Sequence, residues 1–168
     1  MRLPLFALLV AAFGLSLGHD PSVAHAQDAA AAQADASVSM EIVVLHGTND
    51  GTGIDPKIGK MPELAKPPFS SYNSYKLLDR SKQTSSKASP STLKLPNDRV
   101  LKVSLKDVVQ PAKKGESKRY VISASIQKPG GSDFLPLLEV NAKAGETFFV
   151  AGQNHKGGVL VIGIKVNP

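Results

Sequence analysis

The densest cluster of glycine, acidic residues and histidine in the chain is LHGTNDGTGIDP, at residues 45–56. A phosphate-binding loop needs a lysine and a hydroxyl after its last glycine, where this chain has an isoleucine and Asp55. A dinucleotide-binding loop needs a further glycine at Pro56, and proline has no N–H for a phosphate. A calcium loop alternates its oxygen ligands, whereas Asn49 and Asp50 are adjacent. The stretch is therefore predicted to be a sharp bend that leaves a strand and enters a helical cap at Asp55.

Outside the first 26 residues the chain has two histidines, His46 and His155, each at the end of a predicted strand. If those strands are neighbours, the two imidazoles could approach each other together with Asp50 or Asp55. Two imidazoles and a carboxylate would form a zinc-type site with an open position for water. No H-x-H or H-E-x-x-H spacing supports this site. A metal-dependent hydrolase is therefore an alternative function, not the preferred one.

Nucleophilic catalysis has weaker support in the sequence. Cysteine is absent and no G-x-S-x-G motif occurs. The serines lie mostly in polar segments beside lysines, where no general base is evident. We therefore assign no catalytic residue and expect no cofactor.

Three aromatic side chains recur at a spacing of three within PPFSSYNSYKLL, at residues 67–78. Aromatic rings beside lysine can stack on sugars or bases. More often such rings anchor an irregular connection to the core, with their hydroxyls reaching water or the backbone. A lysine-bearing segment at 111–118 offers a second contact region. The weak candidate binding surface comprises Phe69, Tyr72, Tyr75, Lys113 and Lys114.

A period of two in hydrophobicity predicts the elements that position these residues. It is clearest at 100–106, 119–127 and 158–166, whereas the first strand, at 40–46, has the clustered aliphatic residues of a buried strand. Turn formers recur every 10–17 residues after residue 91, too close for helices that cross between parallel strands. The sequence thus predicts a run of hairpins from about residue 91 onward, with six strands in succession. With the first strand and one at 74–80, it predicts about eight strands. It predicts an all-β fold, an antiparallel β-sandwich, with a small closed barrel as the alternative.

The period of two is lost between residues 47 and 70, where four prolines lie in 54–71. We predict one long connection here with one or two short helical turns, beginning near Asp55-Pro56 and near Met61-Pro62. The segment 81–92 is predicted to be a polar loop or the ragged edge of a hairpin.

The N-terminus predicts export. Arg2 precedes an apolar run at 3–18, and small residues follow as far as Ala26. This pattern is typical of a secretory signal peptide, and the run is shorter than the roughly 20 residues of a spanning helix. The predicted organisation is a signal peptide at 1–26, a flexible leader at 27–38 and a single β-sandwich domain at 39–168.

Composition restricts the partners. The chain contains no cysteine, which excludes disulfides and a lipid-modified cysteine, and its formal net charge is +6. Removal of Arg2 and Asp20 with the signal peptide leaves that charge unchanged. A basic protein favours anionic partners, although lysines on an ordinary surface give the same balance. The expected partner is another envelope protein or an anionic envelope polymer, and nucleic acid is not expected.

Four segments together resemble a group of small exported proteins of environmental Gram-negative bacteria. They are GIDPKIGKMPEL, PFSSYNSYKLL, LPNDRVLKV and FFVAGQNHKGGVLVIGIKV, within residues 41–166. The group carries no assigned activity, so the resemblance implies a periplasmic or extracellular envelope protein but no functional residue. The preferred function is a soluble, non-catalytic binding or assembly module of the cell envelope. The alternatives are the hydrolase above and an anionic-polysaccharide-binding protein.

Overall fold

Two antiparallel sheets of four strands each form a β-sandwich in the computed structural model, which describes residues 36–113 and 115–167. The strands are β1 (Ser37–Thr48), β2 (Ser74–Ser86), β3 (Ser91–Lys94), β4 (Val100–Val109), β5 (Arg119–Gln127), β6 (Phe134–Lys143), β7 (Thr147–His155) and β8 (Gly158–Val166). The first sheet has the order β2-β1-β8-β7 and the second has the order β3-β4-β5-β6. Neither sheet closes into a barrel, so the sandwich prediction is confirmed. The predicted signal peptide, most of the predicted leader, and Lys114 lie outside the described residues.

The order of the strands differs in one respect from the predicted run of hairpins. Strands β3 to β6 are successive hairpins, and β7 pairs with β8, as expected. Between β6 and β7, however, the chain passes from the second sheet to the first. Turn formers mark where the chain changes direction, but they do not determine which sheet the next strand joins.

The inner core lies between the two sheets and follows the predicted alternation. On β8 the predicted face is completely enclosed, with Leu160, Ile162 and Ile164 each 0% exposed. Strands β4 and β5 supply the facing layer. The inner core includes Met40, Ile42 and Val44 of β1, Leu101, Val103 and Leu105 of β4, and Ile122, Ala124 and Ile126 of β5.

A second apolar cluster, the outer core, covers the other face of the first sheet. It forms because the two central strands of that sheet, β1 and β8, are apolar on both faces. The long connection between β1 and β2 lies over this face and contributes its own apolar side chains. The buried members of the outer core are Val43, Leu45, Ile58, Leu64, Tyr75, Val159 and Val161.

The long connection contains three short 3₁₀ turns instead of one or two. The first is Pro56–Ile58, and the side chain of Asp55 accepts a hydrogen bond from the Lys57 N–H at 2.9 Å, as the predicted cap requires. The second is Pro62–Ala65, at the predicted start. The third, Phe69–Ser71, was not predicted, because it has neither a side-chain cap nor a proline at its first position, the two signals that mark the other turns.

Both boundaries of the predicted polar segment at 81–92 shift in the structure. Strand β2 continues to Ser86 and β3 begins at Ser91. The buried hydroxyl of Ser85 accepts a hydrogen bond from the Leu105 N–H at 3.2 Å and donates one to the Val103 carbonyl at 3.1 Å. The polar end of β2 therefore connects the two sheets through these hydrogen bonds, a role that its composition did not indicate.

The domain also begins slightly earlier than predicted. Strand β1 starts at Ser37, inside the predicted leader, and the Val38 side chain is only 2% exposed. The Val38 side chain lies in the inner core, and the start of β1 pairs with the end of β2.

Candidate functional site

Four connections lie at the same end of the sandwich, which we call the loop end. They join β1 to β2, β3 to β4, β5 to β6, and β7 to β8. The connection between β4 and β5, which carries Lys113, lies at the opposite end. The lysine-bearing part of the candidate binding surface is therefore separated from both histidines by the length of the strands.

The structure brings the two histidines together at the loop end. Strands β1 and β8 are paired, and His155 ends the strand on the other side of β8. The His46 Nε2 lies 2.9 Å from the His155 carbonyl oxygen, and the ring centroids are 5.2 Å apart in an edge-on arrangement. Because a carbonyl can only accept, His46 must carry a proton on Nε2 to make this hydrogen bond.

The two aspartates considered with the histidines have other contacts. The Asp55 carboxylate caps the first 3₁₀ turn, and its second oxygen lies 3.4 Å from the Leu77 N–H. Asp50 accepts hydrogen bonds from the N–H and the hydroxyl of Thr52 at 3.0 and 2.7 Å. Hydrogen bonds from the side chain of Ser74 and then from Thr52 hold the pKa of the Asp50 carboxyl well below its usual range.

The histidine pair consequently offers two imidazoles without a carboxylate beside them. Across residues 36–113 and 115–167, no three or more histidine, aspartate or glutamate side chains gather closely enough to hold a metal ion. A catalytic zinc site usually has three protein ligands and a water. The four residues His46, Asp50, Asp55 and His155 therefore do not converge on one point.

His46 and His155 together form what we call the histidine corner, and it should make the stability of the domain depend on pH. Burial, then the neighbouring charges of His46 and Lys156, lower the pKa of the His155 imidazole below its ordinary 6.5. The unfolded chain binds a proton at this residue more readily than the folded chain does, so stability should fall as the pH falls from about 7.5 to about 5.5. Urea unfolding midpoints of the wild type and His155→Gln across that range would measure the effect.

In that experiment His155→Gln should show the smaller change with pH. A hydrogen bond from the Lys87 ammonium, 2.8 Å away, also lowers the pKa of the Asp107 carboxyl. The lowered pKa values of Asp50 and Asp107 do not interfere, because those carboxyls lose their contribution only as the pH falls below their ordinary 3.8. Equal slopes for the wild type and the variant would contradict the expectation.

The three aromatic side chains of the candidate binding surface pack against the outer core. The Tyr75 hydroxyl donates to the Phe69 carbonyl at 2.7 Å, and the Tyr72 and Tyr75 ring centroids are 6.3 Å apart. The Phe69 ring contacts Phe149 of β7, with ring centroids 5.3 Å apart. Tyr75 is buried, while Phe69 and Tyr72 are half-buried. These contacts anchor the long connection to the first sheet.

The sequence did not reveal a polar cleft at the loop end. Its volume is about 650 Å³, and it is open to solvent. Three separate segments line it, and each contains turn formers, which in the sequence mark only separators between strands. The lining residues are Asn97, Asp98, Arg99, Gln127, Lys128, Pro129, Gly130, Gly131, Gly152, Gln153 and Asn154.

Arg99 is the lining residue whose environment is least usual. It is half-buried, and its Nη1 donates a hydrogen bond to the Gln153 side-chain oxygen. Its Nε is buried and has no hydrogen-bond partner. Within the described part of the chain no carboxylate lies within ion-pair distance of Arg99, and the adjacent Asp98 pairs with Lys94 at 3.2 Å.

No helix among the described residues is both long and apolar enough to cross a membrane.

Comparison with other proteins adds no family. No protein-family model matches the chain, and no match was found among curated proteins or among solved structures.

Proposed function

We propose that this chain is a non-catalytic binding module of the bacterial cell envelope and that its ligand binds at the loop end. The observation that carries the proposal is the polar cleft, which two connections of the second sheet and the end of β7 in the first sheet line together. Loops held by a rigid sandwich are a common place for binding residues, because the scaffold fixes the positions of the segments that contact the ligand.

The contacts of the acidic residues support binding over hydrolysis. Asp50 and Asp55 cap backbone N–H groups of the long connection, so each already has a structural role. The two histidines contact each other and not a carboxylate. The groups that a metal-dependent hydrolase would use are therefore engaged in contacts that stabilise this part of the fold.

Export rests on the sequence. A charged start at Arg2, an apolar run and small residues before position 27 favour cleavage after Ala26. The resemblance to exported proteins and the net charge of +6 fit a protein that meets anionic envelope material. N-terminal sequencing of the chain recovered from the periplasm or the medium should begin at Gln27, whereas an uncleaved cytoplasmic chain would contradict export.

Site-specific photo-crosslinking in cells tests binding at the loop end. A photoreactive side chain would replace Asn154, which is exposed in the lining of the cleft, or Glu116, which is exposed at the opposite end. We expect a discrete cross-linked product in the exported fraction from position 154 and none from position 116. Equal products from both positions, or none from either, would contradict the proposal.

Metal analysis tests the alternative function. The purified protein should not contain stoichiometric zinc. Stoichiometric zinc that disappears on His46→Ala would show that the histidine corner is a metal site and would overturn a purely non-catalytic role.

A further inference from the structure

The charge of Arg99 is only partly compensated within the protein. A guanidinium that leaves water loses hydration, and the loss is recovered when a carboxylate or another acceptor pairs with it. Arg99 has one neutral acceptor, the Gln153 amide oxygen, and a buried Nε without a partner. The described residues supply no carboxylate for it. Its counter-ion is therefore expected to come from a ligand.

The position of Arg99 is favourable for holding an anion. Its backbone forms the closing bond of the β3–β4 turn, with the Leu95 N–H 2.7 Å from the Arg99 carbonyl. The bond to Gln153 holds the guanidinium against β7. A side chain fixed at both ends loses little freedom on binding, and the planar guanidinium suits the two oxygens of a carboxylate.

The rest of the lining suits hydroxyl groups more than apolar groups. Four amide side chains line the cleft, namely Asn97, Gln127, Gln153 and Asn154, and the remaining lining residues include no aromatic side chain. Gln127 donates from its amide nitrogen to the Gly131 carbonyl at 2.8 Å, which leaves its oxygen as an acceptor. An amide can both donate and accept, as a sugar hydroxyl can.

The cations of the cleft outnumber its anions. The lining contains Arg99 and Lys128 but one carboxylate, Asp98. Asp98 is paired with Lys94, and Lys128 lies at the rim, 3.7 Å from Asp133. The cleft should therefore attract a ligand that bears a negative charge.

We infer that the cleft binds an acidic saccharide, with the carboxylate of a uronic acid on Arg99 and its hydroxyls on the amide side chains. This inference rests on the proposed binding function and names its ligand class. An acidic peptide fits less well, because peptide recognition usually uses an exposed strand edge or apolar pockets. Only three lining residues, Gly152, Gln153 and Asn154, belong to the edge strand β7, which is too few to pair with a peptide strand, and the one large apolar contribution to the lining is Pro129.

Calorimetric titration with tetragalacturonate, in low-salt buffer and at about 0.15 M salt, tests the inference. A neutral galactose tetramer and a tetraglutamate peptide are the comparison ligands. We expect the acidic saccharide to bind and to weaken by about 10-fold or more in Arg99→Gln, the loss expected for a charge-assisted hydrogen bond. Arg99→Lys should retain part of the affinity, because it keeps the charge and loses the planar fork.

Arg119→Gln is the matched control, since it removes the same charge from an exposed arginine at the opposite end. It should change the affinity by less than about 2-fold at the higher salt concentration. Thermal melting of each variant verifies folding, and Lys128→Gln at the exposed rim gives a second decrease if Arg99→Gln unfolds. Equal losses in Arg99→Gln and Arg119→Gln, or tighter binding of tetraglutamate, would overturn the inference.

The two proposals fail in different ways. If tetragalacturonate does not bind while the probe at Asn154 still cross-links, the saccharide is wrong and the binding module remains. If tetragalacturonate does not bind and the probe at position 154 gives no cross-linked product, both proposals are wrong.

Discussion

Replacing Gly158 with alanine should destabilise the domain by about 3 kcal/mol or more, a large fraction of the total for a domain of this size. A Cβ at this position would lie 2.3 Å from the Gly47 carbonyl oxygen, 2.7 Å from the His46 Nε2 and 2.9 Å from the Thr48 Cγ2. The nearest of these atoms belongs to the backbone of β1. Relief of the clash would therefore separate the two central strands of the first sheet.

Urea unfolding of Gly158→Ala measures this effect, and Gly131→Ala is the control. A Cβ at Gly131 would meet no atom nearer than 4.0 Å, and its backbone is not in the left-handed region. Both variants make the same chemical change at the loop end. If their unfolding free energies agreed to within about 1 kcal/mol, the close approach of β1 and β8 would not limit stability.

The inner core was predictable because the two sheets impose a period of two on most strands. Residues such as Ile122, Ala124 and Ile126 alternate with serine and glutamine, so the buried face can be recognised from the sequence alone. The outer core was not predictable in this way. Val159 and Val161 interleave with inner residues on β8, and a strand that is apolar on both faces gives no alternation that shows what covers each face.

The candidate sites illustrate the same limit. The approach of His46 and His155 depended on which strands are neighbours, and strand order is not encoded in a local pattern. The cleft was even less predictable from the sequence. Arg99 and Gln153 are separated by 54 positions, and each lies beside a turn whose composition indicates only a change of direction. Only the packing of the two sheets brings these turns together.

The long connection shows how a segment without periodicity can still be ordered by packing. Its backbone bonds to the start of β2, with the Asp55 N–H 2.8 Å from the Tyr75 carbonyl and the Tyr75 N–H 2.9 Å from the Gly53 carbonyl. Ile58 and Leu64, from the first two 3₁₀ turns, are only 2% and 3% exposed, because their side chains pack in the outer core. Tyr75 connects these parts, because its backbone pairs with the connection and its hydroxyl reaches the third turn.

Tyr75→Ala should therefore cost about 3 to 5 kcal/mol in the free energy of unfolding, as expected for loss of a buried aromatic ring. Burial, and to a lesser extent the neighbouring Tyr72, raise the pKa of the Tyr75 hydroxyl above its ordinary 10.0, consistent with an enclosed ring. Tyr75→Phe keeps the ring and removes the bond to the Phe69 carbonyl, so it should cost only about 1 kcal/mol.

Ile54→Ala is the control within the same connection, because that side chain is 54% exposed, and it should change stability by less than about 1 kcal/mol. Urea unfolding of the three variants distinguishes the two roles considered for the aromatic residues. A ligand-stacking surface predicts that Tyr75→Ala unfolds at the same urea concentration as the wild type and loses only binding. A structural anchor predicts the graded loss described above, in which the ring contributes more than the hydroxyl and the exposed isoleucine contributes least.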